Sequence, residues 1–125
     1  MSRDEACGAI ADAYRARLVQ VRAAHRLEAE RIAGALACQG ASLVILFGSV
    51  AQGRDSFSSD IDLAAVSDRA RGVPFSKRIA DALELLGPAM PTDLLIYTPD
   101  EWERLVAERP FIRREVVGKG VVLLG

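Results

Sequence analysis

The sequence predicts an α/β (α+β) fold: a small β-sheet flanked by helices and preceded by a long N-terminal helix. Three observations carry this expectation. From about Gly8 to Cys38 the chain has no proline and repeats apolar side chains at three- and four-residue steps. Beyond Gly40 come four short apolar runs of strand length. Between those runs lie helix-patterned stretches opened by proline and closed by glycine. Alternating strands and helices argue a sheet with helices on at least one face. With 125 residues, one domain is expected over 1–125, divided into the helix 1–40 and a core 41–125.

Each element has its own signature. The stripe of the first helix is Ile10, Tyr14, Leu18, Val21, His25, Ala29, Ile32 and Leu36, and Gly40 suits its end. A small domain cannot cover a helix of seven to eight turns at ~3.6 residues each, so part of the stripe is expected to project towards a protein partner or a second copy. Leu43–Phe47 reads as a buried strand, and Gly48-Ser49 ends it. Val50–Gly53 has room for one helical turn, and Arg54–Ser59 is a polar loop. Ile61–Val66 is a second strand. Pro74 opens a helix through Lys77–Leu86, with Ile79, Leu83 and Leu86 on one face, and Gly87-Pro88 stops it. Thr92–Tyr97 is a third strand. Pro99 opens a short helix carrying Trp102, Leu105 and Val106, Pro110 opens another to about Gly118, and Val121–Leu124 is a last strand or tail.

Composition narrows the function classes. Half of the residues are hydrophobic, 26% are charged, and the net charge is −1, so a phosphate-backbone footprint is absent and nucleic acid is not the expected partner. The basic stretch Arg109–Arg114 is too short to reverse that. Cys7 and Cys38 form no CxxC pair, which argues against a zinc site or disulfide framework. The opening residues Met1–Glu5 are not patterned as a secretory signal, and no run reaches membrane-spanning length. A cytoplasmic protein is expected.

The chemistry concentrates in Gly48-Ser49 and Asp60-Ile61-Asp62, a G-S-x10-D-x-D pattern with each half at a strand end. Residues two apart on a strand share a face, so Asp60 and Asp62 point together while Ile61 and Leu63 enter the core. Two adjacent carboxylates stay ionised only beside a cation. Hard oxygen ligands suit Mg²⁺ or Mn²⁺ bridging to substrate phosphates. Asp93, at the start of the third strand, completes a three-carboxylate cluster if that strand neighbours the second. Such a cluster can hold two metal ions ~3.5–4 Å apart, as in-line phosphoryl displacement requires. Gly48 permits close approach to the backbone, and a helical turn beginning at Ser49 presents N–H groups to an anion. A triphosphate lying β,γ-first on this turn exposes its α-phosphate at the metals, which suits nucleotidyl transfer with pyrophosphate leaving.

Gly48-Ser49-Val50-Ala51-Gln52-Gly53, Ser59-Asp60-Ile61-Asp62-Leu63 and Asp93-Leu94-Leu95 resemble the nucleotidyltransferase superfamily that includes DNA polymerase β and kanamycin nucleotidyltransferase. The small size resembles the minimal nucleotidyltransferases (MNT) in particular, over about residues 42–124. The resemblance implies a mixed sheet with the three acids on adjacent strands and Mg²⁺-ATP as donor. It implies Asp60 and Asp62 as metal ligands, and Asp93 as ligand and activator of the attacking hydroxyl. It further implies an antitoxin that transfers AMP to a tyrosine of a HEPN-domain toxin. The long N-terminal helix lies outside the resemblance. Gln52 stands where relatives often carry arginine or a small residue, and the neighbouring Arg54 is either a triphosphate ligand or a solvated loop residue.

Other residues point to packing. His25 is the only histidine and sits mid-stripe on the first helix, where it reads as a packed or interface residue; its solitude excludes most Ser-His-Asp, Cys-His and two-histidine metal schemes. Tyr97 and Trp102 can stack on an adenine but read more simply as core, and Arg113, Arg114 and Lys119 as a solvated face. Two alternatives to AMP transfer onto a protein remain open at this level. One is a non-catalytic module that neutralises a toxin by stoichiometric binding; the other is nucleotidyl transfer to a small molecule such as an aminoglycoside.

Overall fold

A serine at the second position starts the molecule's longest element. In the computed structural model, which describes the whole chain Met1–Gly125, helix α1 runs Arg3–Cys38. The Ser2 hydroxyl accepts the Glu5 N–H at 3.1 Å, and Asp4 and Glu5 sit in the first turn. The cap and its acidic turn therefore set the start, ahead of the Gly8 that the apolar periodicity suggests. Only the second half of the stripe is buried. His25, Ala29, Ile32 and Leu36 are buried, whereas Ile10 is 70% and Tyr14 54% exposed.

The four strands are β1 (Ala41–Phe47), β2 (Ile61–Ser67), β3 (Thr92–Tyr97) and β4 (Val121–Leu124), ordered β3-β2-β1-β4. β1 pairs antiparallel with β2 and β4, and β2 pairs parallel with β3. The sheet is therefore mixed. A parallel pair needs a crossover, and here it comprises a 3₁₀ turn at Asp68–Ala70 and helix α3 (Phe75–Leu86). That turn carries no apolar periodicity; Ser67 caps it by accepting the Arg69 N–H at 3.3 Å. The brief helical turn after β1 is α2 (Gly48–Ala51).

Strand alternation divides the core between the two faces. Val44 and Leu46 of β1, Ile61, Leu63 and Ala65 of β2, and Leu94 and Ile96 of β3 pack towards α1 and α3. Ile45 and Ala64 face the other way, against Ile112, Val116 and the half-buried Trp102 and Leu105. These belong to α4 (Pro99–Glu108) and α5 (Ile112–Gly118). α4 begins with a capping box, in which Thr98 accepts from the Glu101 backbone and Glu101 from the Thr98 backbone. α5 is wound as a π-helix rather than an α-helix, and both of its buried residues, Ile112 and Val116, face the sheet. Gly120 then returns the chain to β4 where any Cβ would overlap the Val116 carbonyl.

Leu63 is fully buried at the centre of the larger cluster. Leu63→Ala is expected to lower unfolding free energy by about 2–5 kcal/mol. Thr98→Ala, which removes one arm of the capping box, is expected to cost about 1 kcal/mol. Urea titration followed by circular dichroism measures both.

Candidate active site

The antiparallel turn from β1 to β2 and the parallel step from β2 to β3 meet at one end of the sheet. Phe47, the last residue of β1, pairs with Asp62, and Asp62 pairs in register with Asp93. Neighbouring strands lie about 4.8 Å apart, so the two aspartates stand side by side. Side-chain alternation puts Asp62 on the face opposite Ile61 and Leu63, as expected, at the end of the sheet away from the Tyr97 terminus of β3. Asp60 directly precedes β2 and, like Asp93, is exposed; Asp62 is half-buried.

Gly48 completes the corner. Its φ of +74° favours glycine, and a Cβ built there would overlap the Asp62 carboxylate. The backbone of the Gly-Ser turn and the Asp62 side chain are thus in direct apposition. α2 starts at this glycine, and no side chain caps its first N–H groups, which leaves them available to an anion. Arg54 closes the turn by donating its backbone N–H to the Ser49 carbonyl at 2.9 Å. The exposed Arg54 guanidinium rests on the Gln52 side-chain carbonyl, so the glutamine and the arginine act as a pair at the turn's edge.

Asp62 senses its surroundings and the other two acids. Burial first, then the negative charges of Asp93 and Asp60, push Asp62 up to about 6. The three side chains do not converge on one point: no group of three His, Cys, Asp or Glu side chains stands ready-made around a metal ion. The donor set is nevertheless chemically suited to a divalent cation. It consists of hard carboxylate oxygens whose mutual repulsion a cation relieves, and exposed Asp60 and Asp93 have room to rotate towards Asp62.

Periodicity gives no hint of a second polar cluster behind the Gly-Ser turn. Asp55, in the loop joining the two motif halves, is 1% exposed, and His25 is 3% exposed. His25 Nδ1–H donates to Asp55 Oδ2 at 2.7 Å, and Arg22 Nε–H donates to the Asp55 carbonyl at 2.8 Å. These partners are separated by thirty or more residues, and only the fold brings them together. Phe57, in the same loop, packs edge-on against Tyr14 with ring centroids 5.4 Å apart. Tyr97 and Trp102 pair at 6.0 Å, at the far end of β3 about 13 Å along the strand from Asp93. They belong to the packing of α4, away from the acids.

A mixed sheet with helices on both faces, a Gly-Ser turn against a strand aspartate and a second aspartate in register beside it are the build of a nucleotidyltransferase. The sequence matches the polymerase beta nucleotidyltransferase family over residues 30–125, and the chain belongs to that family. Among solved structures it is similar to a candidate nucleotidyltransferase from Sulfolobus solfataricus. That likeness has a TM-score of 0.59 at 19% identity, covers 83% of each chain, and speaks to the fold alone. No curated protein matches the sequence. No helix is long and apolar enough to cross a membrane.

The raised Asp62 carboxyl has a stability consequence. Its ionisation is harder in the folded chain than in the unfolded one, so folding bears that cost fully above pH ~6 and loses it below pH ~4. A rise from 3.8 to about 6 is worth about 3 kcal/mol unscreened, and water at this half-exposed group reduces it to about 1 kcal/mol. Asp62→Asn is therefore expected to stabilise the ligand-free protein by about 1 kcal/mol at pH 7.5, with no gain at pH 4. Urea melts at the two pH values test this, and equal gains at both would contradict it.

Proposed function

We propose that this nucleotidyltransferase moves AMP from Mg²⁺-ATP to a hydroxyl acceptor, and that the acceptor is a tyrosine of a partner HEPN-type toxin. The observation that carries the donor half is the in-register pairing of Asp62 with Asp93 beside Gly48. Asp60, Asp62 and Asp93 are the residues that would hold magnesium, which when bound supplies charge neutralisation at the α-phosphate. The Gly48-Ser49 turn, with Arg54 at its edge, takes the β- and γ-phosphates. The acceptor oxygen attacks the α-phosphorus as its proton passes to the Asp93 carboxylate. The bond from the α-phosphorus to the α,β-bridging oxygen breaks, and pyrophosphate leaves. The toxin acceptor and the antitoxin role rest on likeness to the minimal nucleotidyltransferases.

Incubation with ATP, Mg²⁺ and the product of the adjacent gene, followed by intact-mass measurement, tests this reading. An AMP-sized gain on the partner is expected, with the rate reduced about a thousandfold or more in Asp60→Asn and Asp62→Asn, the equivalent of several kcal/mol of lost transition-state stabilisation. A tight complex with no mass gain, formed equally by the variants, would favour stoichiometric binding instead. Gain only on small hydroxylated molecules would keep the chemistry and remove the toxin.

The exposed part of the α1 stripe, Ile10 above all, supports a second contact, self-association through this helix. Light scattering is expected to give twice the 13.5 kDa chain mass, and Ile10→Glu to return it to one chain. A wild-type protein of single-chain mass would rule out the homodimer.

A further inference from the structure

The N-terminal helix lies on the face of the sheet opposite the aspartates, yet it grips both loops that deliver them. Its contacts come from four polar residues spaced by three, Arg22, His25, Glu28 and Arg31, which form one oblique row on a helix. The first two hold Asp55, five residues before Asp60, through the bonds to its carboxylate and carbonyl. The second two hold the loop before Asp93. Glu28 is 7% exposed, accepts the Ala89 backbone N–H, and is forked by Arg31 at 2.6 and 3.1 Å. Arg31 also donates to the carbonyls of Leu86 and Gly87, at 3.2 and 3.4 Å. The second loop also touches the strand that the first one leads into, where the Ile61 N–H at the head of β2 donates to the Pro91 carbonyl at 3.0 Å.

Burying carboxylates such as Asp55 and Glu28 is costly unless they are fully hydrogen-bonded, and no buried polar side-chain atom here lacks a partner. An apolar contact at these positions would anchor a loop without fixing its register. Directional bonds to named backbone groups fix where each loop leaves the helix, and so where Asp60 and Asp93 begin. We propose that Arg22, His25, Glu28 and Arg31 are positioning residues that set the spacing of the aspartates for a metal-bound triphosphate. The row lies on α1, ahead of all four strands, and gives the long helix a role in donor binding. The proposal rests on the nucleotide reading of the site.

Two substitutions address the two loops separately. His25→Leu removes the donor to Asp55, and Glu28→Leu removes the acceptor for Ala89; His25→Gln and Glu28→Gln keep a hydrogen-bonding group in place. Amide hydrogen exchange by mass spectrometry and Mg²⁺-ATP affinity by calorimetry are measured on the full chain, with thermal melting alongside. His25→Leu is expected to speed exchange in 54–60 but not in 87–93, and Glu28→Leu the reverse. Each is expected to weaken Mg²⁺-ATP at least tenfold, and each Gln variant to recover affinity to within threefold of wild type. A purely structural role predicts that affinity falls only in step with the melting temperature, and that outcome would overturn the proposal. Wild-type affinity in folded Leu variants would overturn it too, as would unchanged exchange in the addressed loop. If the wild-type chain itself binds no Mg²⁺-ATP, the nucleotide reading fails and the proposal with it. That result is distinct from a wild type that binds and variants that bind equally well. Should a Leu variant not fold, Arg22→Ala or Arg31→Ala, at a part-exposed partner of the same loop, decides: faster exchange in that loop with affinity weakened about tenfold at a near-wild-type melting temperature supports the row, and wild-type affinity overturns it.

Discussion

Parallel pairing of β2 with β3 sets Asp62 beside Asp93, and much of the remaining architecture serves that juxtaposition. Two carboxylates about one strand spacing apart repel, so the hydrogen-bonded ladder and the apolar residues beneath must hold them. Ile61, Leu63 and Leu94, which alternate with the aspartates and enter the core, are each no more than 1% exposed. Each such side chain contributes roughly 1.5–3 kcal/mol by burial. That exceeds the screened repulsion at Asp62, so the strands tolerate a strained electrostatic corner at their ends. The crossover through α3 is the topological requirement of the same pairing.

Gly48 shows how closely the corner is fitted. The antiparallel register that ends at Phe47 and Asp62 leaves the next residue no volume for a side chain, and the left-handed turn there then reverses the chain into α2. One glycine therefore joins two demands that differ in kind, backbone conformation and contact with a carboxylate. The family's glycine-serine turn is the meeting point of strand register and ligand chemistry, and the anion-facing N–H groups follow from the same reversal.

The parts of this molecule that repeat locally were legible in the sequence. Thr92–Tyr97 was delimited by its apolar run, and the position of Asp93 at its head followed. The G-S-x10-D-x-D pattern located the corner because its residues lie on consecutive elements joined by one loop. The start of α1 was displaced because a hydroxyl cap, rather than a stripe, begins it. The π-helical winding of α5 and the Ser67-capped turn had no periodic signature at all. Asp55 looked like any residue of a polar loop, and His25 like packing within a stripe. Their union is a tertiary event between positions 30 residues apart, which no window of sequence contains. The mutual orientation of the three carboxylates belongs to the same category: adjacency is conditional in the sequence on β3 lying beside β2, which the fold supplies, and convergence on one point does not follow even then.

The projecting half of α1 also governs how the molecule moves through solvent. At 36 residues the helix is about 54 Å long, while a compact chain of this size has a radius of gyration of about 14 Å. The rod is therefore longer than the globule it crosses is wide. An isolated chain tumbles anisotropically, with slow end-over-end reorientation and fast spinning about the rod. Its frictional coefficient exceeds that of a sphere of equal mass, so sedimentation lags and gel filtration overstates its size.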